Sequence, residues 1–119
     1  MKIEEEINDN GTPGTGVVLW AEFDHSILGG SSLGELHKRA EIVGKEAAEN
    51  LLAEIDSDQA LDSHLSDQII PYLALVGGEV TASKITSHAL TCAKVCELFL
   101  EKKIQIQGEL NKPGRISII

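Results

Sequence analysis

Lys84-Ile85-Thr86-Ser87-His88-Ala89-Leu90-Thr91 joins a short extended segment to a helix and places a histidine in the helix's first turn. Thr86 or Ser87 is suited to cap that helix by accepting a hydrogen bond from an unpaired backbone N–H, so His88 falls among free amide donors at the positive end of the dipole. Such a terminus attracts phosphate.

Outward from this junction, Glu79–Ile85 reads as extended and Ser87–Leu100 as the helix. Ile104–Leu110 and Arg115–Ile119 alternate like strands on either side of Asn111-Lys112-Pro113-Gly114, which predicts a C-terminal hairpin. Upstream, Leu61–Leu75 reads as a helix with Asp58 or Asp62 as its cap, Pro71 kinking it near Asp67, and Gly77-Gly78 stopping it. Ile42, Val43, Ala47, Leu51 and Leu52 fall at helical spacing within Ala40–Glu54. Gly16–Phe23, rich in β-branched and aromatic residues, is the clearest strand. Lys2–Ile7 alternates weakly as an edge strand, Asn8–Thr15 reads as a turn, and the short apolar piece Ser26–Leu28 leads into a loop, Gly29–Gly34. The order β-β-α then α-β-α-β-β predicts an α+β fold, helices on one face of mixed or antiparallel sheets.

The chain has 119 residues and a net charge of −9, distributed unevenly. Residues 1–56 hold 4 basic and 12 acidic side chains, whereas residues 57–119 hold 6 and 7, so the expected boundary lies at Asp56-Ser57-Asp58. An acidic unit of this kind is poorly suited to gripping a phosphate backbone by itself. No apolar run approaches the roughly 20 residues of a membrane span, and Met-Lys-Ile-Glu-Glu-Glu does not open like a signal peptide. The expected compartment is the cytoplasm, in keeping with two cysteines that form no disulfide framework.

Three further patterns bear on chemistry. Gly11-Thr-Pro-Gly14-Thr-Gly16 lacks the Gly-Lys-Ser/Thr of a phosphate loop and leads into a strand, so it reads as a turn. His88, Cys92 and Cys96 recur every four residues, but a metal site needs a second segment, for which His64 is the further candidate; the cysteines read as small core residues and no metal site is expected. His64, Asp67 and Gln68, with Asp62 nearby, can point from one helical face, able to orient a base or read a polar edge, or simply to meet solvent.

Four stretches together carry a resemblance: Gly14-Thr-Gly-Val-Val-Leu-Trp-Ala-Glu22, Ile27-Leu-Gly-Gly-Ser-Ser-Leu-Gly34, His64-Leu-Ser-Asp-Gln-Ile-Ile-Pro-Tyr-Leu-Ala-Leu75 and Thr86-Ser-His-Ala-Leu-Thr91. In this order and spacing they resemble consecutive motifs of the RNA 3′-terminal phosphate cyclase family, over about the last third of a member. The resemblance implies an ATP-dependent ligase that converts an RNA 3′-phosphate into a 2′,3′-cyclic phosphate through a covalent histidyl-AMP. It makes His88 the nucleophile, sets Asp67 and Gln68 beside the nucleotide, and gives His64 as a planar group against the adenosine. Mg²⁺ is implied by the triphosphate and by no ligand set here. Residues 1–56 resemble the C-terminal part of the family's inserted domain and residues 57–119 the last repeat of its catalytic domain. The family's glycine-rich N-terminal motif is absent, which implies a chain inactive by itself, acting with the missing N-terminal part or as a homodimer through unpaired sheet edges. The alternative is a non-catalytic cyclase-like interaction module, of the kind serving ribosome biogenesis or subunit assembly.

Overall fold

A computed structural model describes residues 1–9 and 11–119. Asn10, within the expected turn Asn8–Thr15, lies outside the described residues. The elements run β1 (Gly16–Glu22), β2 (Ile27–Leu33), α1 (Ala40–Asp56), α2 (Leu65–Gln68), α3 (Ile70–Val76), β3 (Glu79–Ala82), α4 (Ser87–Phe99), β4 (Ile104–Gln107) and β5 (Gly114–Ile118). β1 and β2 form an antiparallel hairpin, while β3, β5 and β4 form a second antiparallel sheet in that order. The fold is α+β, with α1 packed on the hairpin and α3 and α4 on the second sheet.

The main core lies between α3, α4 and the three-stranded sheet, where Ile70, Leu73, Ala82, Ile85, Ala89, Ala93 and Ile116 are buried together. Alternation in β4 and β5 turns Ile104, Ile106, Ile116 and Ile118 toward these helices and leaves Gln105, Gln107 and Arg115 on the exposed side. Leu28, Val43 and Ala47 are buried where α1 covers the hairpin.

Four expectations need correction. Lys2–Ile7 has no regular structure, and Ile3 and Ile7 are exposed, because alternation makes a strand only where a partner strand and a surface to bury are present. Gly29–Gly34 is not a loop: Ile27–Leu33 is a strand paired along its whole length, Gly29 with Trp20 and Gly30 with Leu19. Gly30 serves contact, not freedom, since a Cβ there would lie 2.4 Å from the Leu51 amide nitrogen of α1. The Leu61–Leu75 helix is also shorter and divided. Leu61 instead bridges β3, its N–H donating to Thr81 O at 3.0 Å, and the helix begins only where Asp62 Oδ1 accepts from the Leu65 amide at 2.8 Å. Its break falls at Ile69, two residues after Asp67, with Pro71 in the first turn of α3 where its missing N–H costs no helical bond. Finally, the first strand of the C-terminal hairpin ends at Gln107, not Leu110; Gly108 follows at φ +142°, and Leu110 bridges Ile85.

Lys38 and Glu46 form a partly buried ion pair at the edge of the α1 layer, with Lys38 Nζ 2.5 Å from Glu46 Oε2 and Ser32 Oγ donating to the same oxygen at 2.7 Å. The hydrogen bonds from Lys38 and Ser32, and the lysine's charge, hold the Glu46 carboxyl below the ordinary glutamate range. A carboxyl depressed in the folded state stabilises above its unfolded pKa of about 4.3 and loses that contribution as pH falls through its folded value. Urea unfolding should therefore show the stability advantage of the wild type over Glu46→Gln shrinking as pH is lowered from neutrality through the acid range. A pH-independent difference would refute the assignment.

Candidate active site

The extended segment before α4 is fastened to the C-terminal hairpin. Ile85 N–H donates to Lys112 O at 2.8 Å, and Asn111 N–H donates to Ile85 O at 2.8 Å. Ile85 is itself 1% exposed, so this anchor is part of the core. Thr86, with φ −91° and ψ 161°, then caps α4: its Oγ1 accepts from the Ala89 amide at 3.1 Å. Of the two residues the sequence offered as caps, Thr86 is the one used. The amides of Ser87 and His88 find no acceptor among the described residues, and the His88 side chain is exposed. A rigidly held helix start with free donors and an accessible imidazole is chemically suited to meeting an anion.

α2 packs against α4 and carries the other sequence-predicted residues. Asp67 is half-buried, while His64 and Gln68 are exposed. His64 precedes the helix, its amide donating to Asp62 Oδ1 at 3.1 Å, so the expected single face holds only in part. Asp67 lies close enough to α4 to act on Cys92, which is one turn beyond His88. Burial above all, then the adjacent Cys96 thiol, then Asp67, pushes the Cys92 thiol up. The structure thus brings Asp67 to the helix that starts at His88 and leaves His64 and Gln68 facing outward. Asp67→Asn is expected to speed alkylation of Cys92 by iodoacetamide at mildly alkaline pH, by removing a charge that opposes the thiolate. An unchanged rate would show that the Asp67 charge does not act on the Cys92 thiol.

Cys92 and Cys96 pack against the core, and among the described residues no three His, Cys, Asp or Glu side chains gather to hold a metal. The donor set of the described residues therefore does not fit a protein-held Mg²⁺. Two clefts of about 540 and 650 Å³ lie elsewhere, the first between β1 and the start of α1, the second between the β1–β2 turn and the end of α1. Neither is lined by His88, His64, Asp67 or Gln68.

Residues not singled out as site residues hold these parts in place. Asp62 uses both carboxylate oxygens, Oδ1 on the start of α2 and Oδ2 on the Gly29 amide of β2 at 3.0 Å. Glu54, near the end of α1, accepts from Ser63 Oγ at 2.6 Å. Together they tie the hairpin layer to the helix bearing Asp67. The only sequence signal for this role was the aspartate's position before a helix. Among the described residues no helix is long and apolar enough to cross a membrane.

The family model described as RNA 3′-terminal phosphate cyclase (RTC), insert domain, matches residues 1–56. Over the whole chain, the RNA 3′-terminal phosphate cyclases of Thermococcus onnurineus and Pyrococcus abyssi are each 44% identical. That of Ignicoccus hospitalis is 50% identical over 85% of the chain and 30% of its own length. The chain spans 35% of the length of the Thermococcus and Pyrococcus relatives. Four motifs in order, and similarity along the whole of this chain to about a third of several such proteins, lead to one conclusion: the chain corresponds to part of a member of the RNA 3′-terminal phosphate cyclase family.

Proposed function

We propose that this chain supplies the AMP-carrying histidine of an ATP-dependent RNA 3′-phosphate cyclisation, and that it acts only when combined with the remainder of a family-length polypeptide. The observation that carries this reading is the exposed His88 at a capped helix start with two free amide donors. In the first step a ring nitrogen of His88 attacks the α-phosphorus of ATP, forming an N–P bond as pyrophosphate leaves with the broken P–O bond's electrons. The ring's other nitrogen sheds its proton to solvent, leaving a neutral ring bonded to an anionic phosphoryl group, a phosphoramidate. An oxygen of the RNA 3′-phosphate then attacks the same phosphorus, the N–P bond's electrons return to the ring nitrogen, and the ring takes back one proton from solvent, restoring neutral histidine. The neighbouring 2′-hydroxyl finally closes on the RNA phosphorus, gives up its proton and expels AMP. Dividing the reaction in this way replaces one difficult displacement with easier ones.

Within this reading, the amides of Ser87 and His88 hold the α-phosphate, Asp67 and Gln68 lie beside the nucleotide, and the His64 ring faces the adenosine. Mg²⁺ would enter with ATP, neutralising its phosphates. Residues 1–56 would act as part of the inserted domain and residues 57–119 as the last catalytic repeat, in the cytoplasm. Exposure of His64, Gln68 and His88 supports a site whose other wall comes from another polypeptide.

The test is incubation with ATP labelled at the α-phosphate and Mg²⁺, with and without the part of the Thermococcus onnurineus relative lying outside the matched region. Acid-labile label on this chain, dependent on that complement, is the expected result. Absence of label with the complement bound would overturn the enzymatic reading in favour of an interaction module.

A further inference from the structure

The chain has two cysteines, and both stand on α4 four residues apart, Cys92 and Cys96, one turn and two turns beyond His88. Residues so spaced lie one above the other on a helix face. This row runs beside the buried Ala89 and Ala93, on the rim of the stripe that meets the core, so each cysteine is half-buried and both thiols are free. They are close enough that Cys96 acts on Cys92 both by charge and by hydrogen bonding. The pair is complete within one helix and takes no group from any other polypeptide.

Geometry decides what can join them. Helical neighbours four apart hold their Cβ atoms about 5–6 Å apart, whereas a disulfide requires about 3.5–4.5 Å. A direct S–S bond would therefore have to unwind α4, which is helical without interruption from Ser87 to Phe99. One further atom between the sulfurs removes that demand. Zinc is a poor candidate, because it takes about four ligands and no third His, Cys, Asp or Glu joins the pair among the described residues. Metal ions also bind the thiolate, and burial, Cys96 and Asp67 all keep the proton on Cys92. What fits is a centre that is satisfied by two sulfurs and carries its own acceptors for the thiol protons.

We propose that Cys92 and Cys96 form a chelating site for trivalent organoarsenicals, the arsenic atom bridging the two sulfurs along one face of α4. In the hydrated ligand, arsenic bears one organic group and two hydroxyls. Each sulfur attacks arsenic in turn: an As–S bond forms, an As–O bond breaks, and the hydroxide leaves with that thiol's proton as water. Arsenic stays trivalent, neither sulfur is oxidised, and the adduct is uncharged. Holding the proton on Cys92 thus slows alkylating agents, which need the thiolate, without opposing this exchange. The second As–S bond is intramolecular and gains from the high effective concentration that α4 provides. The site is independent of the histidine chemistry.

The probe is phenylarsine oxide, added in equimolar amount to the reduced full chain. Intact mass spectrometry should show one phenylarsenic group per chain, and it should persist in about a hundredfold excess of the monothiol mercaptoethanol. Cys92→Ser and Cys96→Ser should each weaken retention against the monothiol at least roughly tenfold. Two readings on the unaltered chain do not depend on a variant. Both cysteines should be shielded together from later alkylation by iodoacetamide. Tm should also rise, on the order of 4 °C, because the bridge fits helical spacing and binds the folded chain better than the unfolded one. An adduct stripped by the monothiol, one retained undiminished by either serine variant, shielding of one cysteine alone, or a Tm that does not rise would each overturn the proposal.

Discussion

His88→Ala is expected to remove acid-labile AMP from the chain in the complemented labelling reaction, a loss of at least roughly 10³-fold, because the proposed N–P bond forms on the His88 ring. The substitution is a clean one. His88 is exposed and its side chain holds no hydrogen bond among the described residues, so folding should change by no more than about 0.5 kcal/mol. The variant can therefore be compared at equal foldedness by circular dichroism. Residues proposed to lie beside the nucleotide should behave differently from the one proposed to bond to it. Asp67→Asn and Gln68→Ala each remove a polar contact, and label should fall about tenfold without vanishing. Thr86→Val removes the hydroxyl that accepts from Ala89, costing about 1 kcal/mol of stability and loosening the helix start that presents His88. Label that persists on His88→Ala would refute the assigned nucleophile, whereas equal, total loss in all four variants would indicate a failure of folding or complementation.

Periodicity reached the elements whose shape depends on their own residues. The strand expected at Gly16–Phe23 from its β-branched and aromatic content, the helix expected over Ala40–Glu54 from its spacing and the helix expected over Ser87–Leu100 from its cap each stand within two residues of those bounds, and Thr86 is readable as a cap because capping is local chemistry. What escaped was set at a distance. Gly29–Ser32 has the composition of a loop, yet β1 pairs with it and α1 lies on it, and neither fact is visible in those four residues. Leu61 looked like the start of a helix until β3, twenty residues later, claimed its backbone. The candidate site divides in the same way. His88 at a helix start follows from its neighbours, but the approach of Asp67 to Cys92, the two-sided use of Asp62 and the Glu54–Ser63 bond all join separate elements. Helical spacing put His64, Asp67 and Gln68 on one helix face, whereas His64 precedes α2 and, of the three, Asp67 is the one that is half-buried.

The same glycine-to-alanine change should have opposite effects at Gly30 and Gly44, and the contrast tests whether α1 rests on the hairpin as described. At Gly30 an added Cβ would meet the Leu51 amide nitrogen at 2.4 Å, Ala47 O at 2.8 Å and Leu51 Cα at 2.8 Å. All three are helix backbone, which cannot rotate aside like a side chain. Either α1 lifts, opening the contact that buries Leu28, Val43 and Ala47, or β2 bends away from β1. Overpacking of this kind costs about 3 kcal/mol, equivalent to a drop in Tm on the order of 10 °C or more. Gly44 lies within α1 with nothing within 4 Å of the position a Cβ would take. Alanine there only restricts the unfolded chain and improves helix propensity, so a gain of about 0.5–1 kcal/mol is expected. Both variants should be melted at one fixed protein concentration, since any association that favours the folded state raises Tm with concentration. If Gly30→Ala melted within a degree or two of the wild type, the close approach of α1 to β2 would be wrong; if Gly44→Ala were destabilising, that face of α1 would not be open.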